Sequence, residues 1–145
     1  MNTRANIETN SAPYKAMLHL EMSLQSSTLT PIQKELIKTR ASQINQCAFC
    51  LDMHTKDALK YGETPQRLFL LNAWRETDLF SEEEKVILAM TEEITLIHQQ
   101  GLSDKTYQEA MQFFNEDQIK SIIMAIITIN MWNRIAISTH LQIGK

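Results

Sequence analysis

The chain has few of the residues that interrupt helices: its 145 residues include only three prolines and three glycines. It also lacks segments in which β-branched residues alternate with polar ones, the pattern typical of a half-buried strand. Five of the six prolines and glycines stand where a helix would begin or end, as N-terminal proline and C-terminal glycine should. These absences argue against a protein rich in β-sheet and predict an all-α fold.

Long apolar runs and excess positive charge are missing as well. The most apolar stretch, residues 121–132, is only twelve residues long, whereas a membrane-spanning helix needs about 20. A net charge of −3 provides no basic surface for nucleic acid or anionic lipid. The polar residues 1–10 lack the apolar core of a secretory signal. We therefore expect a cytoplasmic protein whose partners include neither nucleic acid nor membrane.

The length and a hydrophobic fraction of 43% suit one domain with its own core. We predict a flexible N-terminal arm at 1–11 and a single helical domain at 12–145. Capping residues and apolar spacing predict a bundle of about six to seven helices. Their expected positions are 13–25, 31–44, 46–61, 65–76, 82–100, 104–114 and 116–139. The fifth helix is expected to bury Val86, Met90, Ile94 and Ile97.

The last predicted helix is apolar on almost every side between Ile119 and Trp132. Such a helix must be covered on most of its surface. Because the chain is small, we expect part of that cover to come from a second copy, which predicts a homo-oligomer. A core helix of a monomer is the alternative.

The only two cysteines lie three residues apart, as Cys47-Ala48-Phe49-Cys50, and His54 follows four residues later. Two cysteines placed at random in a chain of this length would take that spacing about once in seventy cases. On a helix, positions 47, 50 and 54 fall within an arc of roughly 60°. In a reducing cytoplasm such a pair is more often catalytic or metal-binding than a structural disulfide.

The position of the cysteines favours redox chemistry. With a helix cap near Asn45 or Gln46, both would lie at a helix N-terminus, whose partial positive charge stabilises a thiolate. The second thiol is close enough to capture an oxidised first one as a disulfide. His54, one turn after Cys50, can carry protons near neutral pH. Two inert buried cysteines are the plain alternative.

A zinc site is the other alternative. Cys47, Cys50 and His54 are suitable ligands, but a structural zinc site needs four, so Asp57 or His98 would have to join them. No second Cys-x-x-Cys and no His-x₃-His pair occurs. We therefore predict no metal. Without a nicotinamide or flavin motif we also expect no cofactor, so that electrons would arrive from a partner.

The cysteine pair belongs to a longer pattern: Glu35, eleven residues, Cys47-Ala48-Phe49-Cys50, three residues and His54. This pattern resembles the active-site signature of the alkylhydroperoxidase-D-like (AhpD-like) proteins of the carboxymuconolactone decarboxylase superfamily. The segments INQCAFCLDMHTKDALKYGET, AWRETDLFSEEEKVILAMTEEIT and INMWNR are similar to one bacterial branch of that group. Together the resemblance covers most of residues 30–135.

The resemblance implies an all-α fold, assembly as a trimer or hexamer, and thiol-dependent reduction of peroxides. Cys50 would attack the peroxide substrate and become a sulfenic acid, and Cys47 would resolve it to a disulfide. Glu35 and His54 would form the proton relay. An external dithiol would then reduce the pair. We therefore expect a thiol-dependent peroxidase or disulfide reductase that serves antioxidant defence.

The chain departs from the pattern at Phe49, where well-studied members carry a histidine between the cysteines. An aromatic ring cannot relay protons, so we expect a weaker peroxidase or one that depends more on Glu35 and His54. The decarboxylases of the superfamily lack the cysteine pair, which argues against lactone decarboxylation. A non-catalytic redox sensor or binding module, whose disulfide alters assembly, stays open as an alternative.

A second marker of the resemblance is the polar group Asn130, Asn133 and Arg134 within the apolar last helix. Buried polar side chains need hydrogen-bond partners. We expect these three to bond between helices or subunits, with a place in the pocket lining as the alternative.

Overall fold

A computed structural model describes residues 4–144, and these contain helices and no strand. The α-helices are α1 (Ala12–Ser23), α2 (Pro31–Asn45), α3 (Ala48–Lys60), α4 (Pro65–Phe69), α5 (Glu82–Thr95), α6 (Asp104–Ala110) and α7 (Glu116–Thr139). Two short 3₁₀ helices lie at Leu24–Ser26 and Leu71–Glu76. The predicted all-α fold is confirmed. Residues 1–3 of the predicted N-terminal arm lie outside the described part, and residues 4–11 precede the first helix.

Three of the helices begin with a reciprocal cap. In each, the cap side chain accepts a hydrogen bond from the third helical N–H, and the side chain at that position accepts one from the cap N–H. The pairs are Thr30–Gln33, Ser81–Glu84 and Asn115–Gln118. These local interactions place the starts of α2, α5 and α7 where the sequence predicts them.

Helix α2 lies at the centre of the bundle and packs against α3, α5 and α7. The main core is aliphatic and lies where α2, α5 and α7 meet, with Ile37, Ile87 and Ile126 fully buried. A second cluster joins α2 to α5 and the second 3₁₀ helix through Leu36 and Trp74. Ile37 and Leu36 thus anchor α2 in two different clusters. The anchored helix also packs against α3.

Several predicted helix ends are wrong. The helix predicted at 65–76 is broken after Phe69, and Ala73 has a non-helical φ of −117°. The break turns Leu71 and Trp74 inward onto α2 and α5, so tertiary packing overrides local propensity. The helices predicted to end at 100 and 114 end at Thr95 and Ala110.

The predicted burial of Ile97 is also wrong, since 60% of this residue is exposed. Leu96, which follows the last residue of α5, has a φ of −91° and a ψ of 43°, and this non-helical residue takes Ile97 off the buried face. Val86 and Met90 are buried as predicted, and Ile94 packs half-buried against the main core.

Helix α7 has 24 residues, and it is the one described helix whose length and composition would also suit a membrane span. Both features equally suit a bundle helix packed on α2 and α5, which is where α7 lies. In the isolated chain its residues Met124, Ile127 and Ile137 stay exposed. The second copy expected to cover part of this helix stays a prediction.

Candidate active site

The cysteines lie at a tight turn between α2 and α3. Gln46 ends α2 in the left-handed conformation, with a φ of 58° and a ψ of 41°, and Cys47 is already the N-cap of α3. The N–H of Cys47 donates to the Ser42 carbonyl at 3.0 Å. The cap therefore lies at Cys47, directly after Gln46, near which the sequence predicts it. A single left-handed residue lets α3 begin at once, so the cysteine itself caps the helix.

Cys47 and Cys50 are joined by a disulfide, with their Cα atoms 5.3 Å apart. The Sγ of Cys47 also accepts a hydrogen bond from the backbone N–H of Cys50 at 3.3 Å. Only 1% of Cys47 and 2% of Cys50 is exposed. The sulfurs thus lie at the N-terminus of α3, where helix N–H groups and the helix dipole favour a thiolate over a thiol.

Glu35 of α2 and His54 of α3 form a hydrogen-bonded pair beside the disulfide. The Nδ1 atom of His54 lies 2.9 Å from Oε2 of Glu35. Both residues are buried, with 6% of each exposed. Such a pair can hold a proton and orient the imidazole ring for transferring it.

One pocket of about 460 Å³ connects these groups. Glu35, Cys50 and His54 all line it, whereas Cys47 lies behind Cys50 and is not part of the lining. The structure therefore brings together the four residues that the sequence singles out. Their chemical roles stay predictions.

Most of the rest of the pocket wall is apolar and comes from three helices, α1, α3 and α7, from the residue after α3 and from the C-terminal tail. Its members are Tyr14, Leu18, Phe49, Met53, Tyr61, Trp132, Ile135, Ala136 and Leu141. Phe49 and Ala136 also pack directly against the disulfide. An apolar wall around a polar, ionisable group is typical of a site for a small organic molecule.

Two charged residues that line the pocket, Lys38 and Glu21, were not predicted from the sequence. The Nζ atom of Lys38 lies 2.7 Å from Oε1 of Glu21 and 3.9 Å from Oε1 of Glu35. The other oxygen of Glu21 accepts a hydrogen bond from Nε1 of Trp132 at 3.1 Å. Lys38 follows Glu35 by one helical turn, a spacing at which side chains meet, so this contact was open to prediction. Glu21 was not, because its place depends on how α1 packs.

The zinc site considered as an alternative is not assembled. The two cysteines are bonded to each other, and His98 is exposed beyond the end of α5. Glu35, His54 and Asp57 do offer ligand atoms within 4.8 Å of one another, and residues of these types can hold a divalent cation. However, the ammonium group of Lys38 already lies beside Glu35 and would repel such an ion.

A cluster of amides fastens α7 to the end of α2, directly before the cysteine turn. The Nδ2 atom of Asn45 donates to Oδ1 of Asn130 and Oδ1 of Asn133, both at 2.9 Å. Asn133 donates in turn to the hydroxyl of Ser42 at 3.0 Å. The predicted interhelical role of Asn130 and Asn133 is confirmed, whereas Arg134 bonds to Asn130 within its own helix.

Glu92 of α5 fixes α2 from the opposite side. Its carboxylate accepts hydrogen bonds from Nε1 of Trp74 at 2.8 Å, from Arg75 at 2.5 Å and from Arg40 at 3.0 Å. Burial alone would raise the pKa of Glu92, but these three donors outweigh it and hold the pKa below its usual range. The carboxylate is therefore ionised when it ties α2 to α5.

Sequence comparison identifies the family. Residues 12–93 match the carboxymuconolactone decarboxylase family, and this span contains Glu35, both cysteines and His54. The chain belongs to the carboxymuconolactone decarboxylase family.

Proteins similar to this chain include YdfG, an uncharacterised protein from Bacillus subtilis (strain 168). It is 44% identical over 124 residues, which cover 86% of this chain and 84% of YdfG. A solved structure from Agrobacterium tumefaciens, of a protein of unknown function proposed to be the antioxidant defence protein AhpD, is 37% identical. Its TM-score is 0.93, and the match covers 99% of both chains.

A more distant structure, an uncharacterised peroxidase-related protein from Silicibacter sp. TM1040, shares the fold. It is 23% identical with a TM-score of 0.78, and the match covers 89% of this chain and 69% of that one. The chain is therefore an AhpD-like member of the carboxymuconolactone decarboxylase family. Its disulfide-bonded Cys-x-x-Cys pair is consistent with a peroxidase-like redox role.

Proposed function

We propose that the protein is a thiol-dependent peroxidase that reduces a peroxide with Cys47 and Cys50 and is then reduced by an external dithiol. The observation that carries this proposal is the shared pocket: the Cys50 side chain and the hydrogen-bonded Glu35–His54 pair line the same largely apolar cavity. The disulfide partner, Cys47, lies directly behind Cys50. The attacking sulfur and the proton carrier are thus within reach of one bound substrate, and the resolving sulfur is within reach of the attacking one.

The first half-reaction begins with the pair reduced. The thiolate of Cys50 attacks one peroxide oxygen, so that an S–O bond forms while the O–O bond breaks, and two electrons pass from sulfur to the peroxide. The product on the protein is the sulfenic acid of Cys50. The departing alkoxide takes the proton that the Cys50 thiol gave to His54 on ionising, and Glu35 orients this protonated ring through Nδ1.

The second half-reaction closes the disulfide. The sulfur of Cys47 attacks the sulfenic sulfur of Cys50, and hydroxide leaves as water with the proton of the Cys47 thiol. An external dithiol then exchanges with the disulfide and becomes oxidised itself. In sum, one peroxide and one dithiol yield an alcohol, water and one external disulfide. Closing the pair quickly protects Cys50 from irreversible oxidation to the sulfinic acid.

We further propose that the protein works in the cytoplasm and as a homo-oligomer. A cytoplasm supplies the reducing dithiols that the cycle needs. A homo-oligomer, a trimer or hexamer by resemblance, would cover the apolar residues that α7 exposes, such as Ile127.

The test is peroxide consumption with dithiothreitol as the dithiol. We expect turnover by the unmodified protein and none by Cys50→Ser. In Cys47→Ser, where no resolving thiol remains, we expect a sulfenic acid on Cys50 when the reduced protein is freed of dithiothreitol before peroxide is added. Dimedone labelling followed by mass spectrometry detects that acid. The proposal fails if the unmodified protein adds nothing to the rate of dithiothreitol alone, or if Cys50→Ser keeps its activity.

A second candidate function is a redox sensor whose disulfide changes assembly without turnover. The observation in its favour is Phe49, which packs on the disulfide and supplies no proton carrier between the cysteines. Light scattering of the reduced and oxidised protein separates the two functions. A sensor would change its oligomeric mass without consuming peroxide catalytically.

A further inference from the structure

Beside the pair proposed to act on substrate, the pocket contains a line of alternating charges that leads away from His54. Glu35 presents Oε2 to His54, while its Oε1 lies 3.9 Å from the ammonium of Lys38. Lys38 is held in turn at 2.7 Å by Glu21 of α1. The side chains of Glu35 and Lys38 are 7% and 13% exposed, so little solvent screens them from each other.

These residues also separate two cavities. Glu21, Glu35, Lys38 and Tyr61 line both the pocket that contains Cys50 and a smaller cavity of about 160 Å³. Lys38 therefore lies inside the wall of the site, and its charge acts on the groups across that wall.

We propose that Lys38, held in place by Glu21, is a positioning residue for the Glu35–His54 pair. The inference rests on the proposed function of that pair. By attracting one oxygen of Glu35, the ammonium leaves the other oxygen directed at His54. It also supplies the positive charge that offsets the carboxylates around the imidazole.

The charges that face His54 fix the direction of the effect. Helix α3 contributes Asp57, α2 contributes Glu35 and Lys38, and α1 contributes Glu21. Helix α7 contributes only uncharged residues to this pocket, as does the C-terminal tail. Lys38 is thus the one cation among the pocket-lining residues of the described chain when His54 is neutral.

Removing this cation leaves the imidazole among carboxylates alone. The pocket then holds less positive charge, so the negative thiolate of Cys50, which lines the same pocket, forms less readily. The packing of α1 affects the position of the Lys38 ammonium, because Glu21 of α1 forms the ion pair with it. No residue of α1 is fully buried, so this ion pair is one of the contacts that hold α1 in place.

The test compares Lys38→Met with two controls. Lys38→Arg keeps the charge, and Lys34→Met removes a charge one turn earlier on α2 from a residue that lines only the smaller cavity. Two pH profiles are measured from pH 5 to 9: dithiol-dependent peroxide consumption, and the rate at which iodoacetamide alkylates Cys50 in reduced protein. Circular dichroism verifies that each variant is folded.

We expect the acid limb of both profiles to move to higher pH by about half a unit to one unit in Lys38→Met. Lys38→Arg and Lys34→Met are expected to follow the unmodified protein. If Lys38→Met alkylates with the same profile as Lys34→Met, the proposal is wrong. Alkylation needs no turnover, so a protein that lacks peroxidase activity still tests the role of Lys38.

The role of Glu21 is tested by a double-mutant cycle. If Glu21 acts through Lys38, Glu21→Gln alters the alkylation profile of the unmodified protein and adds nothing in the Lys38→Met background. Glutamine keeps an oxygen that can accept the hydrogen bond of Trp132, so the packing of α1 is preserved. Additive effects of the two changes would show that Glu21 acts independently.

Discussion

Asn133 offers the sharpest test of how the bundle holds the cysteine turn. Its side chain is completely buried in α7, accepts a hydrogen bond from Asn45 and donates one to the hydroxyl of Ser42. Asn133→Ala removes both contacts, which leaves the buried hydroxyl of Ser42 without this partner and the half-buried amide of Asn45 with one partner fewer. We therefore expect a substantial loss of stability.

The magnitude follows from these contacts. A buried polar group that loses its partner costs about 1–3 kcal/mol. The amide of Asn45 keeps Asn130, so its share lies at the lower end, and the small cavity adds about 1 kcal/mol. The sum is about 3 kcal/mol, which for a chain of this size corresponds to a fall in Tm of about 10 °C.

Urea denaturation followed by circular dichroism measures this loss, with the disulfide intact in every sample. Asn72→Ala is the matched control, because Asn72 is exposed and its side chain makes no hydrogen bond within the described chain. We expect it to stay within about 0.5 kcal/mol of the unmodified protein. A loss below about 1 kcal/mol for Asn133→Ala would refute the reasoning.

Three further changes test other parts of the structure. Glu35→Gln should slow peroxide consumption with dithiothreitol by about 100-fold, because a neutral amide cannot balance a protonated His54, and a change within about twofold would contradict this. Glu92→Gln should lower the urea midpoint at pH 7, and this loss should shrink as the pH falls below about 4.5, because the pKa of Glu92 is lowered and its stabilising contribution disappears as the carboxylate is protonated in the folded protein. An unchanged loss below about pH 4.5 would contradict it. Gln46→Gly should raise the Tm by a few degrees, about 0.5–1 kcal/mol, because glycine adopts a φ of 58° without strain, and a lower Tm would contradict it.

Local interactions made the helix starts predictable. The caps at Thr30, Ser81 and Asn115 depend on side chains only three residues away, so the sequence alone specifies them. Helix ends were harder. The break after Phe69 depends on the burial of Trp74 against distant helices, a contact that no local pattern encodes.

In the candidate site, too, the feature that depends on local spacing was predictable, whereas contacts between distant residues were not. The spacing of Cys47 and Cys50 predicted that the sulfurs could meet, and they are bonded. The partnership of Glu35 with His54 came only from the resemblance, because their contact spans 19 residues and two helices. The left-handed Gln46 was unforeseen, since such a conformation is rare outside glycine.

The central claim is that the Cys47–Cys50 pair cycles between dithiol and disulfide when it meets a peroxide. The most direct measurement is a thiol titration of the reduced protein before and after one equivalent of an organic hydroperoxide. We predict that both thiols disappear together and that dithiothreitol restores both through a Cys47–Cys50 bond. Persistence of either thiol, or oxidation that dithiothreitol cannot reverse, would contradict the account.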